Sequence, residues 1–222
     1  MNINSDLRAK FGEIRDQGAR PTCLAMAGSD LHGWHHGMSE WLSAEYLFYH
    51  AVKRTTPFDP TRAVSTAAIA ASMDESGQPK ETIWPYLSAL PANINEWSPP
   101  QTADQLWRAN IEFGKETVSG LLKTINDGNP VLMALSLSKG FFRPDVGGLI
   151  RSTKHDEDTP YHHAVVGVAT GTPDGNEPFV LIRNSWGKGW GLAGYAWISA
   201  EYLEGHLLLK GSIKGTATHD TD

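Results

Sequence analysis

Apolar residues recur at helical spacing in the first half of the chain, beginning with residues 23–36. Side chains three to four positions apart share one face of a helix, and the positions on this face are Leu24, Ala27, Leu31 and either Trp34 or His35. Gly28 lies within the pattern and disfavours a helix by about 1 kcal/mol relative to alanine. The spacing nevertheless predicts a helix over residues 23–36.

Three further helices are predicted from signals at their ends. Ser43 precedes an apolar run that reaches residue 52, and serine is a favoured N-cap residue. An alanine-rich segment, residues 65–74, is followed by Gly77, which is typical of a helix end. Residues 118–127 complete the set. The chain up to about residue 90 is therefore predicted to be mainly helical.

The second half of the chain carries short β-prone runs bounded by Gly, Pro, Asn and Asp. The predicted strands are residues 131–137, 164–170, 179–182 and 195–198. A helical first half and a β-rich second half indicate an α+β fold. A proline- and asparagine-containing stretch, residues 91–102, is a candidate lobe boundary. We expect one domain over residues 1–222, with a helical lobe near 17–100 and a β-rich lobe formed by 101–222 and 1–16.

Composition and charge exclude several classes of function. The 222 residues include 25 acidic and 19 basic side chains, for a formal charge of −6, which argues against sequence-independent nucleic-acid binding. No apolar run approaches the roughly 20 residues that span a bilayer, and the polar N-terminus lacks a signal-peptide pattern. One cysteine cannot form an intramolecular disulfide. We therefore expect a cytoplasmic protein, or one delivered to another cell without a signal peptide.

Cys23 is the residue that suggests chemistry. A lone cysteine is most often a small buried hydrophobic residue, but Cys23 lies at a predicted helix start, where a thiolate is stabilised. Gln17 precedes it in a turn-like segment, and a glutamine amide can donate a hydrogen bond to an oxyanion. A histidine pair and an asparagine follow far downstream, where a base and its orienting group are expected in thiol hydrolases.

Three segments, in order, resemble the active-site motifs of papain-like cysteine peptidases. They are RDQGARPTCLA at residues 15–25, HAVVGVATG at residues 163–171 and NSWGKGWGLAG at residues 184–194. The first keeps the family's spacing of six residues between Gln17 and Cys23. The resemblance implies a papain-like two-lobe fold, with a helical lobe, a β-rich barrel-like lobe and the active site in the cleft between them.

The resemblance also implies a role for each matched residue. Cys23 is expected to be the nucleophile, His163 its general base and acid, and Asn184 the group that orients the imidazole. Gln17 and the backbone N–H of Cys23 would form the oxyanion hole, and Trp186 would shield the Asn–His hydrogen bond from water. The implied activity is hydrolysis of peptide bonds by a thiolate–imidazolium pair, with no metal or organic cofactor.

Two neighbours of His163 are expected to support the site or touch substrate. Adjacent residues of a strand point to opposite faces, so only one of His162 and His163 can face the nucleophile. We favour His163 because Ala164 and Val165 follow it, as in the family motif. His162 is then expected at the cleft rim, and Ala164 beside the base.

The sequence also departs from the family pattern. Leu24 follows the nucleophile where the family usually has tryptophan, and Arg20 stands where a family cysteine forms a disulfide. Only 22 residues precede Cys23, so we expect no inhibitory propeptide, unless the chain is one piece of a longer product. These features suggest a bacterial-type, disulfide-free variant. The family's Cys- and Gly-rich loop has no counterpart between residues 54 and 65, which leaves substrate specificity open.

Two other patterns favour structural interpretations. His32, His35 and His36 have a spacing compatible with metal ligands, but no Cys or acidic trio lies nearby, so a solvated helix edge is the prediction. Residues 189–194 match G-x-G-x-x-G, but a predicted strand follows rather than the helix of a nucleotide site. We expect these glycines to form a turn packed behind Asn184.

Alternative functions remain open at this stage. The same triad could serve an isopeptidase, a deconjugating enzyme or a processing enzyme, as in a toxin or defence effector, and a catalytically silent peptide-binding module is a third possibility. Expected partners are a peptide or protein substrate and a restraining inhibitor or immunity protein, with no nucleic acid and no membrane.

Overall fold

The structure, a computed structural model, describes residues 2–101, 105–151, 157–173, 175 and 177–215. The described chain divides into two compact units. The helical unit comprises residues 10–12, 17–112 and 213–215, and the sheet unit comprises residues 2–9, 13–16 and 113–212. The predicted lobe limits near residues 16 and 100 stay a prediction, and Thr102 of the candidate boundary lies outside the described residues. Among the described helices, none has the length and apolar character to cross a membrane.

The helical unit contains α1 (Cys23–His35), α2 (Ala44–Lys53) and α3 (Thr66–Ala71), the last continuing into a π-helical turn, Ser72–Ser76. Ser43 and Ser65 cap α2 and α3, since each hydroxyl accepts a backbone N–H three residues on, at 3.1 Å in both cases. These bonds satisfy donors that the first turn of a helix leaves open. The helices predicted over residues 23–36, from Ser43 to residue 52 and over residues 65–74 are confirmed.

His32 contradicts the solvated-edge prediction for the histidine cluster. Its side chain is 0% exposed, and its Nδ1 lies 2.7 Å from Oε1 of Gln78. The Gln78 amide nitrogen donates to the Ser29 hydroxyl at 3.0 Å and to the Ser43 carbonyl at 2.9 Å. The prediction was wrong because helical spacing alone does not show that another segment covers a helix face with matching polar groups. Among the described residues, no group of three His, Cys, Asp or Glu side chains is arranged to hold a metal.

An eight-stranded sheet dominates the sheet unit, with order β2-β8-β3-β5-β6-β7-β4 and β1 paired to β5. The strands are β1 (Asn2–Asp6), β2 (Ile111–Gly114), β3 (Val131–Ser138), β4 (Leu149–Ile150), β5 (Asp158–Thr172), β6 (Phe179–Arg183), β7 (Tyr195–Ser199) and β8 (Leu207–Ile213). The α-helices described in this unit are α4 (Val118–Asn126) and α5 (Ala200–His206). In α4, Leu121 and Ile125 lie one turn apart and are buried in the core. The predicted strands and the helix over residues 118–127 are confirmed.

Strand β5 begins at Asp158, six residues before the predicted start. Its first five residues are mostly exposed, and the continuous apolar run of the strand begins only at Ala164, directly after His163. The polar residues at the start of β5 show no apolar strand pattern in the sequence. Backbone pairing with β3, such as Ser136 with His162 and Leu135 with His163, nevertheless holds this part of the strand in the sheet. The extension matters because it carries both histidines.

Candidate active site

His163 and Asn184 come together because β5 and β6 are antiparallel neighbours. His163 lies in β5, and Asn184 directly follows the last residue of β6, Arg183. The register pairs Val166 with Arg183, which brings the two side chains to the same end of the strand pair. Nε2 of His163 is 2.7 Å from Oδ1 of Asn184, and both residues are buried.

This hydrogen bond defines how the imidazole can act. A carbonyl oxygen only accepts, so the proton lies on Nε2 of His163 and is donated to Asn184. Nδ1 is then the ring nitrogen available to exchange a proton with another group. The hydrogen bond thus fixes the tautomer and the orientation of the ring.

Backbone hydrogen bonds fix both the side chain and the main chain of Asn184. The amide N–H of Ser185 donates to Asn184 Oδ1 at 2.8 Å, and the backbone N–H of Asn184 donates to the Gly194 carbonyl at 3.0 Å. Gly194 has φ +91°, and a Cβ there would lie 2.5 Å from Cγ2 of Ile14. The glycine-rich turn therefore packs behind Asn184, as predicted, and β7 rather than a helix follows it.

Burial sets the protonation preference of His163. Desolvation lowers the pKa of the imidazole to about 4, and the hydrogen bond to Asn184 opposes this by stabilising the charged form. At that pKa the ring is neutral near pH 7 and can accept a proton. A neighbouring anion would raise this pKa.

Aromatic rings cover the His163–Asn184 pair. The ring of Trp186 lies 4.5 Å from that of His163, centroid to centroid. Phe141 packs edge-on against both, at 5.9 Å from His163 and 5.5 Å from Trp186. The exposed Phe142 stacks on Trp186 at 5.5 Å with an interplanar angle of 17°. This cover limits water access and so strengthens the hydrogen bond beneath it.

The two residues beside His163 differ in exposure. His162 is exposed and Ala164 is 3% exposed. Ala164 is paired with Ala134 of β3. The strand thus points His162 and His163 in opposite directions, as its period of two requires. The supporting roles of His162 and Ala164 stay predictions.

Cys23 and Gln17 belong to the helical unit. Cys23 is the first residue of α1 and is partly exposed. Thr22 at the N-cap makes no side-chain capping bond. The positive end of the α1 dipole therefore acts on the Cys23 thiol. The Gln17 side-chain amide is buried and donates to the Arg20 carbonyl at 2.9 Å.

A sequence model of papain family cysteine proteases matches residues 63–207. The chain belongs to the papain family of cysteine proteases. The matched range contains His163 and Asn184 and begins after Cys23. The structure also resembles that of xylellain, a cysteine protease from Xylella fastidiosa, with a TM-score of 0.74 at 22% identity. That similarity covers 96% of this chain and 85% of xylellain, and it confirms the predicted papain-like α+β fold.

Two further proteins are similar to this chain in sequence at a comparable level of identity. A cysteine protease of Blomia tropicalis is 25% identical over 209 residues, which is 89% of this chain and 60% of that protein. A peptidase C1-like protein of Acanthamoeba polyphaga mimivirus is 22% identical over 203 residues, which is 85% of this chain and 64% of that protein. The chain therefore spans less than two thirds of the length of these two relatives.

The residues that pack against the predicted site residues were not identified from the sequence. Phe141 packs on the His163 ring from a 3-10 turn, Lys139–Phe142, that follows β3, and none of the sequence motifs includes it. Glu45, Tyr86 and Trp97 surround the loop before Cys23 through contacts that span 25 to 77 positions of sequence. No local pattern reveals contacts of that range.

Proposed function

We propose that the protein hydrolyses peptide bonds with Cys23 as nucleophile and His163 as general base and acid. Asn184 orients the imidazole, and Gln17 with the backbone N–H of Cys23 stabilises the oxyanion. The observation that carries the proposal is the buried 2.7 Å hydrogen bond between His163 and Asn184. It leaves Nδ1 as the proton-exchanging atom, which is what a thiol hydrolase requires of its histidine.

The thiolate forms by transfer of the Cys23 proton to His163. A free thiol has a pKa near 8.5 and is mostly protonated at neutral pH. The α1 dipole and the imidazolium both stabilise the anion. In return, the thiolate raises the pKa of His163 above the value that burial alone sets, so the pair is stable although neither ion is stable by itself.

Catalysis then proceeds in two stages. Sγ of Cys23 attacks the peptide carbonyl carbon, and the C=O electron pair moves to the oxygen, which Gln17 and the Cys23 amide stabilise. The tetrahedral species expels the amine, which takes the proton from His163 and leaves a thioester. Water attacks the thioester while His163 accepts its proton, and the C–S bond breaks to release the acid and restore the thiolate–imidazolium pair.

The test measures covalent labelling and hydrolysis in the same set of proteins. The parent, Cys23→Ala, His163→Ala and the matched control His162→Ala are incubated with an epoxysuccinyl thiol-protease inhibitor and analysed by intact mass. Each is also assayed on a pooled fluorogenic peptide library and on isopeptide-linked substrates. His162→Ala controls for loss of a histidine from the same strand without loss of the base.

We expect one adduct on the parent and on His162→Ala, none on Cys23→Ala, and strongly slowed labelling of His163→Ala. Peptide hydrolysis should be absent from Cys23→Ala and strongly reduced in His163→Ala. Hydrolysis confined to isopeptide-linked substrates would assign the same site to deconjugation. A folded, reduced parent that neither labels nor hydrolyses any substrate would contradict the proposal.

A further inference from the structure

Arg20, three residues before Cys23, is a buried cation with a bidentate partner. Its side chain is 7% exposed. Nη1 donates to Oε2 of Glu45 at 2.6 Å, and Nη2 donates to Oε1 of Glu45 at 2.9 Å. Nη1 also donates to the Leu87 carbonyl at 2.6 Å. The planar guanidinium is therefore fixed in position and in plane.

Glu45, at the start of α2, has its full accepting capacity in use. A carboxylate can accept about four hydrogen bonds. Glu45 receives two from Arg20, one from Nε1 of Trp97 at 2.6 Å and one from the Leu87 amide at 3.1 Å. Its side chain is 0% exposed. A glutamine in its place would offer one accepting oxygen and set its own donors against two of these N–H groups.

The segment before Cys23 is tied to this pair at its backbone. The Gln17 amide donates to the carbonyl of Arg20 at 2.9 Å. The Tyr86 hydroxyl lies 2.9 Å from the Gln17 carbonyl, to which it donates, and 2.8 Å from Oγ1 of Thr22. The Tyr86 ring in turn lies 5.0 Å from the Arg20 guanidinium carbon. The backbone carbonyl of Arg20 thus holds the side-chain amide of Gln17 in place.

A role in stability alone does not account for such an arrangement. A buried ion pair costs several kcal/mol in desolvation for each ion, and apolar residues of similar volume often replace it without loss of stability. What the pair adds is a fixed geometry. An amide nitrogen carries two hydrogens, so the bond from Gln17 to the Arg20 carbonyl fixes the direction in which the second one points.

We propose that Arg20 and Glu45 are positioning residues that aim the Gln17 amide at the developing oxyanion. The inference rests on the proposed function, since it assigns Gln17 to the oxyanion hole. It differs from a general stabilising role in one respect. Loosening the pair lowers the rate of a reaction that forms an oxyanion and leaves unchanged a reaction of the same thiol that forms none.

The experiment compares two reactions of Cys23 in Arg20→Lys and in Glu45→Gln. Lysine keeps the charge but lacks the planar fork, and Glu45→Gln supplies a second test if Arg20→Lys does not fold. Ile69→Ala in α3 is the matched control, since Ile69 is fully buried in the same unit and belongs to neither the loop nor the pair. The readouts are kcat and KM on a peptide substrate and the rate of alkylation by iodoacetamide, a displacement without an oxyanion.

We expect kcat to fall at least 10-fold in each pair variant, up to the roughly 10²–10³-fold loss that removal of one oxyanion donor causes. KM and the alkylation rate stay within about twofold of the parent. In a Gln17→Ala background the same substitutions lower kcat no further, because residues acting through one group are non-additive. Ile69→Ala lowers the melting temperature and leaves kcat unchanged.

Three results would overturn the inference. Unchanged kcat in the folded pair variants, equal losses in hydrolysis and alkylation, or a full additional loss in the Gln17→Ala background would each show that the pair does not act through Gln17. Failure of the underlying function is distinct from all three, since the parent itself would then show no hydrolysis that depends on Cys23.

Discussion

Replacing His32 by glutamine should remove a defined part of the acid sensitivity of the protein. His32 is fully buried in α1, and desolvation is the largest cause that lowers its pKa, from 6.5 to about 4. Two polar side chains contact the ring: Oε1 of Gln78 lies 2.7 Å from Nδ1, and Nε2 of His36 lies 3.2 Å from Nε2. The Gln78 contact and the backbone of Arg108 raise the pKa. Positive charge on His36 or His35 lowers it.

The magnitude follows from linkage between protonation and folding. Between pH 6.5 and about 4 the unfolded chain binds a proton at His32 that the folded chain does not, so the free energy of unfolding falls as the pH falls through this window. From pH 7 to pH 5 this one histidine lowers the free energy of unfolding by about 2 kcal/mol. Below about pH 4 the folded form is protonated as well, and the loss levels off.

The assay is urea unfolding of the parent and of His32→Gln at pH 7 and pH 5. Glutamine can still hydrogen-bond to Gln78 and does not titrate, so any constant cost of the substitution cancels when the two pH values are compared. His163 and His50 also have pKa values lowered to about 4 by burial, and they are present in both proteins. The parent should lose about 2 kcal/mol more than the variant between the two pH values.

Equal pH dependence of the free energy of unfolding in the two proteins would show that His32 does not contribute to the acid sensitivity. So would a proton NMR titration of the folded parent in which the His32 ring changes charge near pH 6.5, because the buried ring would then bear a proton at little cost.

Three other expectations can be checked directly. Asn184→Ala should lower kcat/KM by about 10- to 150-fold, the equivalent of one hydrogen bond to a charged group at about 1.5–3 kcal/mol, with the protein folded by circular dichroism; an unchanged value would mean that the base needs no orienting group. Gly194→Ala should destabilise the protein more than Gly128→Ala, because both have positive φ but only at Gly194 does a Cβ meet Ile14; equal melting temperatures would count against the packing argument. Leu121→Ala should lower the free energy of unfolding by about 2–5 kcal/mol and leave alkylation of Cys23 unchanged, and a marked change in alkylation would show that the α4 core reaches the site.

Helix ends were predictable because their determinants are local. Ser43 and Ser65 cap helices through bonds that span three residues, and α1 begins at Cys23, as predicted from apolar spacing alone. Strands β1, β2, β4 and β8 were missed. The residues of β1 are mostly exposed, β2 and β4 have only four and two residues, and the residues of β8 are mostly half-buried. These strands join the sheet through backbone pairing, as β1 does with β5 and β8 does with β3.

The same contrast between local and distant determinants applies to the residues of the candidate site and their surroundings. The motif residues were found because a resemblance fixes their order, and His163 and Asn184 do meet in the structure. The burial of His32 and the pairing of Arg20 with Glu45 depend on contacts across 46 and 25 positions. The sequence showed Arg20 only as a departure from the family pattern. Its pairing with Glu45 becomes visible only in the folded structure.

Activation of Cys23 by His163 can be measured through the pH dependence of Cys23 alkylation. The rate of reaction with iodoacetamide is measured from pH 4 to pH 10 in the parent, in His163→Ala and in His162→Ala. We expect a reactive thiolate well below pH 7 in the parent and in His162→Ala, and an inflection that returns towards about 8.5 in His163→Ala. An inflection near 8.5 in all three proteins would show that Cys23 is an ordinary thiol that His163 does not activate.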